Sequence, residues 1–193
     1  MKYTRTKIAD VVVCEPKVFG DHRGYFMESF KEDTLTEFLG FKINFCQDNE
    51  SSSTKGVLRG LHYQANGFEQ TKLVRVIQGT VIDVAVDIRK NSPTFGQHVA
   101  VELSAENKKQ LLVPKGFAHG FIVLSDTAIF SYKVDGLYSY DNERGLAFDD
   151  AAINIDWGLN KEELVLSEKD TKHPTLTNIP VDELLDYNIN PYE

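Results

Sequence analysis

The sequence predicts an all-β protein, an antiparallel sandwich or barrel with a few short helices at its periphery and C-terminal end. Short segments of alternating apolar and polar residues recur at close spacing between positions 8 and 134. Brief breaks rich in Gly, Pro, Asn, Asp and Ser separate them. No strand–helix alternation appears, which argues against the parallel α/β folds that hold dinucleotides.

Residues 8–14 are a β-branched run closed by Glu15 and Pro16, a first strand. Residues 19–24 read as a turn whose glycines admit backbone angles that other residues resist, and residues 25–30 alternate again. Residues 33–39 make the first helix, with Leu35, Phe38 and Leu39 on one side and Gly40 as its stop. Strand character resumes over 43–49, and the serine-rich 51–56 is a loop. Over 57–64, period two sets Val57, Arg59, Leu61 and Tyr63 on one face and Leu58, Gly60, His62 and Gln64 on the other. A polar loop at 65–70 leads to strands at 72–78 and 80–88, predicted to meet in a tight hairpin at Gly79. In the second of these, Ile82, Val84 and Val86 oppose Asp83, Ala85 and Asp87. Ser92 and Pro93 turn into a strand at 97–103, and strands at 109–114, 119–124 and 127–134 follow. Asn160 and Glu163 have capping-box spacing for a short helical turn. Residues 181–186 read as a small terminal helix, and this acidic end is expected to pack outside the barrel.

The 193 residues suit one domain, with a core at about 8–172 and a C-terminal extension at 173–193. Lys and Arg number 21 against 29 Asp and Glu, a net charge of −8 that argues against nucleic acid or an anionic membrane surface. A small anionic ligand remains compatible, since a few cations inside a cleft outweigh an acidic exterior. No run of about twenty apolar residues is present, so no membrane span is expected, and the polar N-terminus lacks the apolar core of a signal peptide. Cys14 and Cys46 are far apart and read as reduced packing residues. The expectation is a soluble cytoplasmic protein.

The chemistry centres on 57–64, with Lys72 eight residues on. A histidine on a strand, beside small and polar neighbours and bounded by Arg59 and Lys72, has two readings. It is either a hydrogen-bonded residue of a half-buried strand or a general base inside a barrel. Pro114-Lys-Gly-Phe-Ala-His119 resembles the second signature of the cupin jelly-roll superfamily. Metal-binding cupins set two histidines one residue apart in their first signature, but here Tyr63 and Gln64 follow His62. With His119 the count of ligands is too low for a catalytic metal, so a cupin barrel without metal or other cofactor is expected. Tyr132 is either strand packing with its hydroxyl at the rim or, if it faces His62, a proton donor. Asp170 is either a solvated loop carboxylate or the group that orients the histidine ring.

Taken in order, the blocks at 15–26, 47–49, 57–64, 72–75, 83–87, 92–96, 103–107, 114–121 and 166–170 resemble the dTDP-4-dehydrorhamnose 3,5-epimerase family over about residues 8–172. Thr71 and Leu112 depart from its usual pattern. The resemblance implies a homodimer with N-terminal strands packed on the partner, His62 as base paired with Asp170, Tyr132 as proton donor from the other face, and Lys72 near the C4 oxygen. It implies that Arg23, Glu28, Gln47, Asp48, Asn49, Arg59, His119, Glu143 and Lys169 line the nucleotide-sugar site and that Tyr138 stacks on thymine. The implied reaction inverts C3 and C5 of dTDP-4-keto-6-deoxy-D-glucose. These residue types suit it: a C4 ketone acidifies both carbons, histidine is poised near neutral pH, and a fixed cation favours enolate over ketone. Epimerisation at one carbon, 3,4-ketoisomerisation and non-catalytic sugar-nucleotide binding are the competing readings.

Overall fold

The computed structural model describes residues 1–190. Its strands are β1 (Lys2–Arg5), β2 (Val12–Glu15), β3 (Val18–Asp21) and β4 (Gly24–Met27), then β5 (Gln47–Thr54), β6 (Leu58–Gln64), β7 (Lys72–Gln78) and β8 (Thr80–Asp87). β9 (His98–Ser104), β10 (Gln110–Val113), β11 (Phe117–Val123), β12 (Thr127–Val134) and β13 (Glu143–Gly145) complete the set, with one helix, α1 (Glu32–Leu39). A six-stranded sheet in the order β1-β2-β10-β7-β12-β5 faces a five-stranded sheet, β13-β6-β11-β8-β9; β3 and β4 form a separate ribbon. This is the antiparallel sandwich that the residue pattern predicts, in the jelly-roll form that the cupin resemblance implies.

Alternation decides what each face buries. Val74 and Val76 of β7, Ala128 and Phe130 of β12, Val81 and Ala85 of β8, and Phe117 and Phe121 of β11 meet in the barrel interior. The opposite face of the five-stranded sheet, with Leu58, Val84, Val86 and Ile122, is covered by Leu146, Phe148, Trp157, Leu176, Ile179 and Leu184 of the C-terminal segment. That segment therefore packs outside the barrel, as expected, by 3-10 turns at Lys161–Glu163 and Val181–Glu183. The Glu163 carboxylate accepts from the Asn160 backbone N–H at 3.1 Å, which bears out half of the predicted capping box. Residues 191–193 of the expected extension lie outside the described residues.

The back of the six-stranded sheet, Val12, Cys14, Leu73 and Leu112, is covered by α1 and the segment after it through Leu35, Ile43, Phe38 and Phe45. Leu35 is buried, worth about 2 kcal/mol. Gly40 ends the helix in the left-handed region at φ 88°, its N–H donating to Thr36 O at 2.8 Å.

Four local expectations change. Lys2–Arg5 is a strand that its polar composition hid, and it exists because it pairs with β2. Residues 8–11 form a turn, so the expected first strand begins only at Val12. The turn expected at 19–24 is mostly ribbon. Gln47–Thr54 is one strand paired along all of β12, so the serine-rich loop is a strand while 43–46 is not.

The hairpin at Gly79 is also overturned. β7 and β8 belong to different sheets, and the single residue between them is too short for a two-residue hairpin turn. Gly79, at φ 81°, instead carries the chain from one sheet to the other; a Cβ there would lie 2.1 Å from Thr127 O.

A second irregularity sets the site. Between β6 and β11, His119 pairs with His62 and Phe121 with Arg59, so three steps on β6 match two on β11. The extra residue is at Gly60, a bulge. Gly60 has φ 136°, and a Cβ there would stand 2.6 Å from Gly120 Cα. The slip breaks period two: Leu58 and Leu61 both face the outer core, whereas Arg59 and His62 both face the cavity. The sequence pattern had set Arg59 and His62 on opposite faces.

Candidate active site

One end of the barrel interior opens into a cavity of about 580 Å³. Four strands deliver its chemistry by the alternation that builds the core. Lys72 lies inward like Val74 and Val76, Tyr132 like Phe130, and His119 like Phe121; Asp83 of β8 meets His119 there. The bulge adds His62 and Arg59. His62, Lys72, His119, Tyr132, Asp170 and Lys169 all border the cavity.

Asp170 reaches His62 across 108 residues of sequence. Its Oδ1 is 2.6 Å from His62 Nε2, and it is buried, while His62 stays partly open to the cavity. Asp170 is held by a short turn whose Ser167 accepts from the Asp170 N–H through both its carbonyl and its Oγ. Burial pulls the Asp170 carboxyl upward, but the His173 and His62 imidazoles beside it hold it well below the usual carboxylate range. An ionised Asp170 takes the Nε2 hydrogen of His62 and leaves the Nδ1 lone pair as the base.

Lys72 forms no salt bridge among the described residues, and burial pulls its ammonium down to about 8, against partial compensation by Asp83 and Glu143. Burial likewise raises the Tyr132 phenol, with Arg59 opposing; a neutral tyrosine is the form that donates a proton. Arg59 is steadied by Ser53, its Nε donating to Oγ at 3.0 Å. At the cavity edge, Tyr138 Oη donates to Glu143 Oε2 at 2.9 Å and Lys169 Nζ approaches the same oxygen at 2.6 Å. Tyr138 keeps an exposed ring.

The structure brings His62, Tyr132, Asp170, Lys72, Arg59, His119 and Lys169 to one cavity, with Glu143 and Tyr138 beside it. It does not bring Arg23 or Glu28 there. Both are exposed on or beside the β3–β4 ribbon, where Arg23 pairs with Asp21. Asp48 faces outward to Lys133 at 2.8 Å, and Gln47 donates to Asn49 at 2.7 Å on the edge strand; from that strand it is Glu50 and Ser51 that border the cavity.

Two residues escaped sequence reasoning. Asp83 is fully buried and both its oxygens lie 3.0 Å from His119 Nε2, a second histidine–carboxylate pair in the barrel. The alternation of 81–88 already placed this carboxylate, with Asp87, on one face of a largely apolar strand. His173, 3.3 Å from Asp170 Oδ1, had only its spacing from Asp170 as a signal.

An antiparallel jelly roll with a histidine–aspartate pair, a half-buried lysine and a tyrosine inside it belongs to the cupin-type barrels equipped for proton transfer. The family model described as dTDP-4-dehydrorhamnose 3,5-epimerase matches residues 5–178. An enzyme of that name from Shigella flexneri is 58% identical over 170 residues, 88% of this chain and 93% of its own. The crystal structure of a dTDP-6-deoxy-D-glucose-3,5-epimerase from Legionella pneumophila Philadelphia 1, in complex with dTDP-4-keto-L-rhamnose, superposes with a TM-score of 0.93 at 48% identity, covering 96% of this chain and 98% of that one. A 3'-monoepimerase from Streptomyces bikiniensis, in complex with dTDP-quinovose, gives 0.88 at 29% identity, with 95% and 93% covered. The chain belongs to the dTDP-4-dehydrorhamnose 3,5-epimerase family.

Proposed function

We propose that this protein inverts C3 and C5 of dTDP-4-keto-6-deoxy-D-glucose to give dTDP-4-keto-L-rhamnose. The observation that carries the reading is the meeting of His62, Asp170, Lys72 and Tyr132 around one cavity. A site that only binds sugar nucleotide has no use for a half-buried ammonium, without a salt bridge among the described residues, on the same cavity as an oriented imidazole.

His62 takes the proton from the carbon next to the C4 ketone through Nδ1. The electron pair moves onto O4, where Lys72, in a water-poor setting, stabilises the enolate more than the ketone. Asp170 stabilises the imidazolium that forms. Tyr132 returns a proton to the opposite face, and the carbon is inverted; the same steps then serve the other carbon. Arg59 and Lys169 carry the charge that holds the diphosphate. Double epimerisation is favoured over the single-carbon reaction by the identities, 58% to the 3,5-epimerase against 29% to the monoepimerase.

The ribbon supports the dimer. Two strands alone are marginal in water, yet β3 and β4 expose Phe19, Tyr25 and Phe26. Seated on a second copy, they would carry Arg23 and Glu28 to the partner's cavity.

Turnover coupled to a downstream reductase tests the assignment. His62→Ala is expected to lose about 10²–10⁴-fold in kcat and Lys72→Met about 10²–10³-fold, both with native circular dichroism. Near-normal turnover in either variant would remove that residue from the mechanism.

A further inference from the structure

Asp170 opens a single 3-10 turn, Asp170–Lys172, and His173 follows it directly. Three residues make one turn of such a helix, so side chains three apart stack in line. Asp170 and His173 therefore point the same way, and His62 meets them from β6. Oδ1 of Asp170 lies 2.6 Å from Nε2 of His62 and 3.3 Å from Nε2 of His173. The three donor atoms all fall within 4.8 Å of one another. The two rings stand edge to face, their centroids 5.6 Å apart. His173 packs on Gly145, where a Cβ would lie 2.3 Å from the ring, and Gly145 is the register partner of His62. Its Nε2 is buried and has no hydrogen-bond partner among the described residues. Buried ring nitrogens ordinarily find a partner; this one lies close to two other metal-ligating atoms.

We propose that His62, Asp170 and His173 bind a divalent ion of the zinc class, and that its binding switches off proton transfer. Two imidazoles and a carboxylate with open positions beyond them suit Zn²⁺, Co²⁺ or Fe²⁺. A tetrahedral ion with ligands at about 2.0–2.1 Å spaces them roughly 3.3 Å apart. His173 and Asp170 already have that spacing; His62 needs to draw back from Asp170 by less than about 1 Å, and the two ring nitrogens, within 4.8 Å of each other, need to close by up to about 1.5 Å. The open positions would face the cavity.

The consequence for His62 follows from proton balance. At rest its single hydrogen sits on Nε2, bonded to Asp170, and Nδ1 holds the basic lone pair. An ion on Nε2 moves that hydrogen to Nδ1; the ring stays neutral and has no lone pair left to take a substrate proton. Binding of the ion is independent of the epimerase reading, whereas the switching-off rests on it.

The test uses tag-free, chelator-treated full-length protein, titrated with Co²⁺ and followed by its visible d–d absorption, with epimerase turnover measured in parallel. The expected result is one saturable band per chain and loss of turnover with the same midpoint, both reversed by chelator. In His173→Phe and His173→Gln, checked as folded by circular dichroism, the Co²⁺ midpoint should rise at least about tenfold. Inhibition is read against each variant's own metal-free rate. Absence of the band, or midpoints unchanged in both variants, would overturn the proposal. Cobalt binding by a chain with no epimerase turnover would leave the ion site standing and remove the functional reading instead.

Discussion

Lys72 shows how far a single residue can be asked to serve the site at the expense of the fold. Burial takes its ammonium from 10.5 to about 8, so the unfolded chain holds this proton more tightly than the folded one. The cost of the buried cation is complete below about pH 8 and fades between there and 10.5, so this group's contribution to stability rises across that window. Lys72→Met is expected to raise unfolding stability at pH 7 by up to about 3 kcal/mol, read from the urea midpoint, while it removes turnover. Activity runs the other way with pH. The enolate needs the charged form, so wild-type kcat should fall as pH rises through about 8; a flat alkaline limb would argue against Lys72 at O4. Residues of this kind were legible where sequence pattern and chemistry coincide: His62, Lys72 and Tyr132 stand out on apolar strands. Asp170 was legible only through the family resemblance and His173 not at all, because their place depends on a turn far along the chain folding back onto β6, which no local pattern encodes.

At the scale of the element, the bulge at Gly60 is the feature on which the site turns. Without it, a strict two-residue period sends Arg59 and His62 to opposite faces, as the sequence pattern implied. Gly60→Ala is expected to destabilise the protein by about 2–3 kcal/mol, since its φ of 136° and the 2.6 Å approach of Gly120 Cα leave no room for a methyl group. Because Arg59 is one step from the bulge, the substrate KM should rise as well. Wild-type stability and KM in that variant would mean the bulge is incidental. Strands paired on both sides by alternating apolar residues, such as β7, β8 and β12, could be read within a residue of their ends. What failed was pairing: a one-residue link at Gly79 looks like a hairpin in sequence, whereas in space it is the step between two sheets. The polar β1 and the serine-rich half of β5 are strands only because a neighbour hydrogen-bonds to them.

The whole molecule has one barrel core and an exterior covered on both sides, by α1 on one sheet and the C-terminal segment on the other. The β3–β4 ribbon stands apart from both sheets with Phe19, Tyr25 and Phe26 exposed. If it completes the partner's site, two inactive variants should rescue each other. Mixed and re-equilibrated Arg23→Ala and His62→Ala chains should recover about a quarter of wild-type turnover, since half the dimers would each hold one intact site. No recovery in verified mixed dimers would place Arg23 outside the partner's cavity. One base face and one acid face act on the carbons flanking a ketone. Proton NMR of dTDP-4-keto-6-deoxy-D-glucose in D2O, with wild type and with Tyr132→Phe, tests it most directly. Wild type should exchange the hydrogens at both C3 and C5 and give the inverted sugar, whereas Tyr132→Phe should still exchange them and return the starting configuration. Inversion by wild type without incorporation of solvent deuterium, or full inversion by Tyr132→Phe, would contradict it.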